Sequence, residues 1–359
     1  MKILDKYIFR QFAKSFIFAS VVFVCLFILI NMVEKLDDFI DNKLTPEDVA
    51  LYYLLSVPSI ILITSPVSAL LSSILVAGRL AFSSELPAIQ SAGVSMRQLL
   101  HPFLAGGMLI VAMNLVNAWW IAPAAFSKTR YFEQLHSGKN NSAPQESSNI
   151  HLLEPDNRIV SIGIIDSDHS SLGNVTIEKF SGARLISRTD ADSMHFDPAH
   201  NKWIMRNVTI RTFDRGAEKY HVIPSEAVKL AFSPHTLAEL NLLPDEMNII
   251  RHYRYLADKR KAGFSGLERS MVKFHDKIAL PFASLIITLV GVPLSAKKKR
   301  GGLASEIAIT LFTGFFYLGL QKTVAIFGYQ GLIPPALAAW FPNLLFLCIS
   351  YLIYKKSVN

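Results

Sequence analysis

Hydrophobic residues are concentrated in six long runs, and polar residues fill the segments between them. The runs cover residues 15–33, 49–78, 98–127, 278–296, about 303–321 and about 334–354. None of the first four contains a Lys, Arg, Asp or Glu residue. A bilayer core of about 30 Å requires about 20 apolar helical residues, so each run is long enough to cross it. The pattern predicts six transmembrane helices.

The residues before the first run have a helical pattern of their own. One helical face collects apolar side chains, namely Ile3, Leu4, Tyr7, Ile8 and Phe12. Such a face predicts an interfacial helix that leads into the membrane. The run itself is followed by NMVEKLDD and not by a small-residue cleavage site. We therefore interpret it as an uncleaved anchor and not as a signal peptide.

The segment between the third and fourth runs is too polar to insert. It opens with SGKNNSAPQESSN, whose composition is that of a flexible linker. Short stretches such as RIVSIGII and GNVTIEKF follow, in which apolar and polar residues alternate as in a half-buried strand. FDPAHNKW resembles a hairpin connection, and a helix is predicted from Pro244 to Gly263. We predict an antiparallel sandwich or open barrel, inserted between two groups of three helices.

These elements predict three parts of the chain. Residues 1–127 hold the interfacial helix and spans one to three, residues 128–269 hold the β domain and its C-terminal helix, and residues 270–359 hold spans four to six. The fold class is thus an α-helical membrane protein with an inserted all-β domain. No internal repeat is apparent.

The distribution of positive charge predicts the orientation. Both termini, residues 79–97 and residues 297–300 together carry twelve Lys or Arg residues, and the alternate loops carry three. By the positive-inside rule both termini and residues 82–99 are cytoplasmic, and residues 128–269 are extracytoplasmic. We interpret the KKKR block at 297–300 as a topological signal in preference to a lipid headgroup site. Because the net charge of +8 is concentrated in such blocks, it does not indicate nucleic-acid binding.

Motifs of catalytic chemistry are absent from the sequence. The chain is 51% hydrophobic and 18% charged, and it contains no phosphate-binding loop, H-E-x-x-H, G-x-S-x-G or C-x-x-C motif. Its two cysteines, Cys25 and Cys348, both lie in apolar runs, so no disulfide framework is implied. The scattered histidines of the external domain do not suggest a metal site. We expect a protein that is not an enzyme and binds no cofactor or metal directly.

Asn31 and Asn114 are polar residues within the apolar runs, and we favour an interhelical hydrogen bond for each. Because the runs lack central ionisable residues, ion-coupled transport is disfavoured. Charged residues cluster at the end of the first run: Glu34, Lys35, Asp37, Asp38 and Asp41. A solvated helix end and a substrate gate explain this cluster equally well.

Several stretches resemble the lipopolysaccharide-export permease family LptF/LptG. They are LDKYIFRQF, the block LLSVPSIILITSPVSALLSSILVAGRLAFSSELPAIQSAGVSMRQLL, NVTIEKF and FDPAHNKWIMRNV. The tail GYQGLIPPALAAWFPNLLFLCISYLIYKK is most similar to the LptG branch. The resemblance covers nearly the whole chain, and the block around the second run is its most specific part.

This resemblance implies that residues 82–99 form a coupling helix, which docks in a groove of a cytoplasmic ATPase subunit. Glu85 matches the acidic residue of the family, and small residues follow it. The candidate coupling residues are Glu85, Ser91, Ala92, Gly93 and Arg97. A short helix with one charge and small residues can seat closely on a partner, and one ion pair can fix its register.

The resemblance also implies a function and a set of partners. The chain would be the non-hydrolysing permease subunit of an ATP-binding-cassette exporter in the bacterial inner membrane, extracting lipopolysaccharide toward a periplasmic bridge and the outer membrane. Its partners would be a cytoplasmic LptB-like ATPase dimer that uses ATP and Mg²⁺, a second LptF-like permease, a single-span LptC-like periplasmic protein, lipopolysaccharide and membrane lipids. The external domain would be a β-jellyroll with an apolar slit for lipid tails.

The candidate substrate gate comprises Asn31, Glu34, Lys35 and Asp37. In the family, the outer part of the first span and the fifth span of the other permease line the substrate entry. The LptG branch carries a lysine where Glu34 aligns, and an anionic headgroup would prefer that cation. Three alternatives remain: Lys35 serves instead, the headgroup is less phosphorylated, or the alignment shifts by one residue.

Two other classes of function compete with the exporter. An envelope sensor or scaffold protein would use the β domain to bind a ligand without any ATPase partner. A membrane enzyme acting on lipids is disfavoured, because no His, Asp or Ser constellation stands near an interface in the sequence.

Overall fold

The computed structural model divides the chain into two compact units. It describes residues 3–136, 150–154, 156–166, 170–182, 184–214, 217–234, 237, 243–261, 266–295 and 302–358. The membrane unit comprises residues up to 136, 244–253 and those from 268 onward, and the β unit comprises residues 137–243 and 254–267. The predicted KKKR block and the SGKNNSAPQESSN linker lie outside the described residues.

Helices make up the membrane unit, and the helix at residues 249–261 continues from it into the β unit after residue 253. The helices are α1 (Ile3–Glu34), α2 (Leu36–Asp41), α3 (Pro46–Phe82), α4 (Glu85–Ser91), α5 (Met96–Val116), a π-helical turn (Asn117–Ile121), α6 (Ala122–His136), α7 (Ile249–Lys261), α8 (Glu268–Ser295), α9 (Gly302–Tyr329) and α10 (Pro335–Val358). Within the described residues, six helical segments are long and apolar enough to cross a membrane, the third of them running from α5 into α6. Three precede the β unit and three follow it, which confirms the predicted fold class.

Side-chain caps fix where the spans begin. The Thr45 hydroxyl accepts the backbone N–H of Asp48, and the Asp48 carboxylate accepts the Thr45 N–H, which completes a capping box before α3. Ser95 and Gln98 form the same reciprocal pair before α5. Each box satisfies backbone donors that the first helical turn leaves free, so both helix starts are encoded locally.

Three helices extend beyond the apolar runs that predict them. α6 continues to His136, past the predicted boundary at residue 127. α8 begins at Glu268, ten residues before its apolar run, and α9 ends at Tyr329 instead of near residue 321. Hydropathy measures only the stretch that is apolar, whereas helical hydrogen bonding continues wherever packing supports it.

Side-chain hydrogen bonds connect neighbouring helices inside the membrane unit. Because Pro281 has no N–H, the carbonyl of Lys277 lacks its helical donor, and the Trp119 indole N–H donates to that oxygen at 3.2 Å. Asn114 donates to the Ser65 hydroxyl at 2.7 Å and to the Ser284 hydroxyl at 3.3 Å, which confirms its predicted interhelical role. These bonds tie α3, the α5–α6 segment and α8 together.

The β unit contains one antiparallel sheet with its strands in consecutive order. The strands are β1 (Ile150–Glu154), β2 (Arg158–Ile165), β3 (Ser171–Ser181), β4 (Arg184–Asp197), β5 (Lys202–Asp214) and β6 (Ala217–Val228). The sequence predicts separate strands at ARLISR and DSMHF, whereas residues 184–188 and 192–196 fall in the single strand β4. The predicted hairpin at FDPAHNKW is present, with Asp197 paired to Lys202 and Asn201 at φ 50°.

An apolar core lies against this sheet. Trp203 is 1% exposed, and its indole N–H donates to the carbonyl of Phe232 at 2.9 Å. Asn174 and Asn207 take left-handed φ values of 51° and 52°, at points where one residue of each strand is skipped in the pairing. Across Asn174 the buried positions of β3 pass from Leu172 to Val175, while the pairing register is the same on both sides.

Candidate functional site

The α4 segment is a single short helix bounded by two left-handed residues. Ser84, immediately before it, has φ 61°, and Gly93, after it, has φ 87° with open space where a Cβ would lie. The N–H of Gly93 donates to the carbonyl of Gln90 at 2.9 Å, and this turn ends the helix. The helix covers Glu85–Ser91 and is therefore shorter than the predicted 82–99 segment.

One face of this helix is exposed, and one side chain anchors the other face. Glu85 is exposed, and its Oε1 accepts the Ser83 hydroxyl at 2.9 Å. Leu86 is 3% exposed and belongs to the same apolar cluster as Ile8, Leu80 and Phe103. The helix thus presents a carboxylate to its surroundings while Leu86 ties it to three other helices.

The predicted coupling residues fall into two places. Ser91, Ala92 and Gly93 are exposed at the end of α4, close in sequence to Glu85. Arg97 is also exposed, but it lies in the first turn of α5 and not on the short helix. Leu86, the buried anchor, is absent from the predicted set. One apolar residue in a short polar segment is only a weak sequence signal of burial.

A second candidate site lies at the far end of α1, where Lys35 follows the last helical residue. The Lys35 ammonium donates to the Tyr52 hydroxyl and to Glu133 Oε1, both at 2.6 Å. The Tyr52 hydroxyl in turn donates to the same Glu133 oxygen at 3.1 Å. We call Lys35, Tyr52 and Glu133 the Lys35 network.

The environment of Lys35 keeps it charged. Partial burial by itself opposes the charge, but the hydrogen bonds to Glu133 and Tyr52 outweigh it and raise the pKa of the ammonium. The Lys35 and Glu133 side chains are 30% and 45% exposed, so both are within reach of a ligand. A carboxylate that holds an accessible ammonium can be replaced by another anion, such as a phosphate.

The predicted gate residues separate into two groups. Lys35 and Asn31 face neighbouring helices, and the Tyr53 hydroxyl donates to Asn31 Oδ1 at 3.4 Å. Glu34 and Asp37 are exposed. Of these four candidates, the structure brings Lys35 and Asn31 into contact with α3.

Sequence reasoning missed Tyr52 and Glu133. Glu133 lies 98 residues from Lys35 along the chain, in a helix predicted to belong to the external domain. Tyr52 and Tyr53 form a buried aromatic cluster with Phe132, and the pair of adjacent tyrosines near the start of a span is a weak local signal of it. No pattern within either segment predicts that the two meet.

A third cluster of charges fixes the turn that precedes α7. Lys273 pairs with Asp245 at 3.0 Å, and Arg130 forms a short ion pair with Glu246. The buried Lys277 ammonium donates to the carbonyl of Pro244 at 2.7 Å. This arrangement is structural, because its cations are already bound to the turn. Among the described residues no group of three or more His, Cys, Asp or Glu side chains could hold a metal ion.

Comparison with known proteins identifies the family of this chain. The family described as "Lipopolysaccharide export system permease LptF/LptG" matches residues 6–356. The chain is 25% identical to the lipopolysaccharide export system permease protein LptG of Escherichia coli K12, covering 99% of both chains. It is 23% identical to LptG of Haemophilus influenzae, covering 99% of this chain and 98% of the relative. It is 20% identical to LptF of Escherichia coli K12, covering 97% and 93%.

These relatives agree with the helices, the inserted sheet and the predicted similarity to the LptG branch. A match over nearly the whole length means that both units belong to one family architecture. The chain is therefore a multi-pass inner-membrane protein that belongs to the LptF/LptG family of lipopolysaccharide export system permeases.

Proposed function

We propose that this chain is the LptG-type permease subunit of an ATP-driven exporter that extracts lipopolysaccharide from the inner membrane. It passes the lipid to a periplasmic bridge that leads to the outer membrane. A cytoplasmic ATPase dimer hydrolyses ATP, a second homologous permease completes the membrane part, and a single-span periplasmic protein joins them. The family membership supports this function, and the charge bias of the loops supports cytoplasmic termini and a periplasmic β domain.

The geometry of α4 is the observation that carries this proposal. An exposed Glu85 on a short helix between two spans offers one negative charge to a basic groove on a partner. The buried Leu86 on the next position connects the same helix to the membrane core. A partner that pulls on this helix therefore moves the spans as well, and ATP binding can drive a transporter that has no nucleotide site of its own.

The Lys35 network supplies the substrate end of the mechanism. A phosphorylated lipid headgroup that reaches Lys35 replaces the Glu133 carboxylate as its anionic partner. The exchange costs little, because one anion substitutes for another and the Tyr52 hydroxyl stays bound to the ammonium. Closure of the transmembrane spans, driven from α4, would then push the lipid out from between them toward the periplasmic domain. No covalent step is needed.

Charge reversal at Glu85 tests the proposal. Glu85→Arg should abolish lipopolysaccharide export while the chain still inserts, because the exposed carboxylate is replaced by a cation facing a basic groove. Export is measured in cells depleted of the native chain, from lipopolysaccharide labelling at the outer membrane. Glu85→Gln, which removes the charge without reversing it, is the matched variant and should retain part of the export. Normal export by Glu85→Arg would contradict the coupling role.

A further inference from the structure

α1 differs from the other spans in its continuity. Among the six candidate spans that the structure describes, it alone contains neither proline nor glycine over its 32 residues. The other spans carry helix-weakening residues, namely Pro58 and Pro66, Pro102, Pro281 and Pro293, Gly314, and Pro342. An unbroken helix of this length extends about 48 Å and bends little.

One end of α1 is packed beneath α4. Ile8 and Phe12 are 1% and 0% exposed, and they belong to the same apolar cluster as Leu86. The Phe12 ring meets Phe103 edge-on with centroids 5.6 Å apart, and it lies against the backbone of Gly106, where a Cβ would come within 2.5 Å of the ring. Such close packing transmits displacement, because it cannot be compressed.

The opposite end of α1 leads directly into the Lys35 network. Ile28 packs against the aromatic cluster of Tyr52 and Phe132, and the N–H of Lys35 continues the helix with a bond to the carbonyl of Asn31 at 3.0 Å. Between the two ends Ala19 is buried, whereas Val21 and Val22 are 57% and 44% exposed within the chain. The exposed positions in the middle of α1 can therefore be substituted without opening a packed core.

We propose that α1 is a rigid rod that carries displacement from α4 to Lys35. Leu86 moves with α4, and Ile8 and Phe12 pass this motion to the rod. The far end then shifts Lys35 relative to Glu133, which opens or closes the network. This inference rests on the proposed function and adds to it the residues that connect the two candidate sites.

The test breaks the rod between its ends and reports on its far end. Cys25 and Cys348 are replaced by serine, and Val33→Cys, a position 77% exposed, serves as the label site in the complete exporter complex. The rate of maleimide labelling is measured with and without a non-hydrolysable ATP analogue. Val22→Pro introduces a kink, because proline removes an N–H and clashes with the preceding turn.

Matched variants separate continuity from side-chain loss. Val22→Ala removes the same side chain as Val22→Pro while keeping the helix. The pair Val21→Gly with Val22→Gly is a milder break, compared with the same pair changed to alanine. These glycine variants serve if the proline variant does not assemble.

If α1 is a rigid rod, the alanine variants keep the nucleotide-dependent change in the rate of maleimide labelling at residue 33. The proline and glycine variants lose it while they still bind the ATPase and hydrolyse ATP. An undiminished nucleotide-dependent change in the labelling rate of both the proline and the glycine variants would overturn the rod. So would a parent complex that hydrolyses ATP without any change in the labelling rate at residue 33. Absence of an ATPase partner would instead contradict the proposed function itself.

Discussion

Competition for Lys35 gives a quantitative prediction about substrate affinity. In the structure Glu133 already holds the Lys35 ammonium at 2.6 Å, so a phosphorylated lipid must displace it. Glu133→Gln should therefore raise the affinity for lipopolysaccharide, because the competitor is gone. Lys35→Met should lower the affinity, because the cation itself is lost.

The size of the effect follows from the exposure of the pair. Ion pairs between partly exposed side chains such as these, 30% and 45% exposed, contribute about 1 kcal/mol. Because 1.4 kcal/mol corresponds to about a tenfold change in Kd, removal of Glu133 should tighten binding by about fivefold. The Tyr52 hydroxyl stays within 2.6 Å of the ammonium and keeps Lys35 in place.

The assay is a double-mutant cycle on the complex in lipid nanodiscs. Kd is measured for fluorescent lipopolysaccharide with the parent, Glu133→Gln, Lys35→Met and the double variant. Glu47→Gln, at an exposed position in the first turn of α3 and outside the Lys35 network, makes the same change in net charge and should leave Kd unchanged. In the double variant the gain from Glu133→Gln should disappear.

Two results would refute this reasoning. Unchanged or weaker binding by Glu133→Gln would show that the carboxylate does not compete with the lipid. A gain that persists in the double variant would show that Glu133 acts on the lipid through its general charge and not through Lys35.

Two further predictions concern packing and pH. Gly106→Ala should lower stability by about 1–3 kcal/mol, because its Cβ would lie 2.5 Å from the buried Phe12 ring, whereas Gly319→Ala, with open space, should not; melting temperatures in detergent compare them. Burial lowers the pKa of His252 from 6.5 to about 3, with the nearby Lys277 charge adding to the shift. Folding therefore disfavours protonation of His252. The free energy of unfolding is highest above pH 6.5 and decreases as the pH falls. The free energy of unfolding should decrease by about 2 kcal/mol between pH 7 and 5, and His252→Gln should remove this pH dependence. The same pH dependence in the parent chain and in His252→Gln would refute the assignment.

Local patterns were sufficient for the spans and for most strands. The Thr45–Asp48 and Ser95–Gln98 boxes are encoded within four residues, so the starts of α3 and α5 follow from the sequence. The strand β2 coincides with the predicted stretch RIVSIGII. β4 was split into two because its charged and polar residues interrupt the alternation, although pairing with β3 and β5 continues through them.

Long-range contacts explain what the sequence could not provide. The position of Glu85 was predictable from its loop, but the burial of Leu86 depends on Ile8, a residue of another helix. The family resemblance makes Lys35 a candidate gate residue, yet its partners Tyr52 and Glu133 come from two further helices. Such juxtapositions arise from helix packing and leave no local periodicity.

Proline and asparagine positions acquire their meaning only in three dimensions. Pro281 leaves the carbonyl of Lys277 without its helical donor, and the structure shows that the Trp119 indole N–H donates to that oxygen. Asn174 has a left-handed φ at a point where the pairing of β2 with β3 is interrupted without a change of register. In each case the chemical reason lies on a neighbouring segment.

Purification of the tagged chain from its native membrane in mild detergent tests the central claim most directly. Co-purifying proteins are identified by mass spectrometry, and ATP hydrolysis is measured for the parent chain and for Glu85→Arg. The account predicts a stable ATPase and a second homologous permease, with both ATPase recovery and hydrolysis weakened by Glu85→Arg. A chain recovered without an ATPase, from a preparation that keeps other membrane complexes intact, would contradict it.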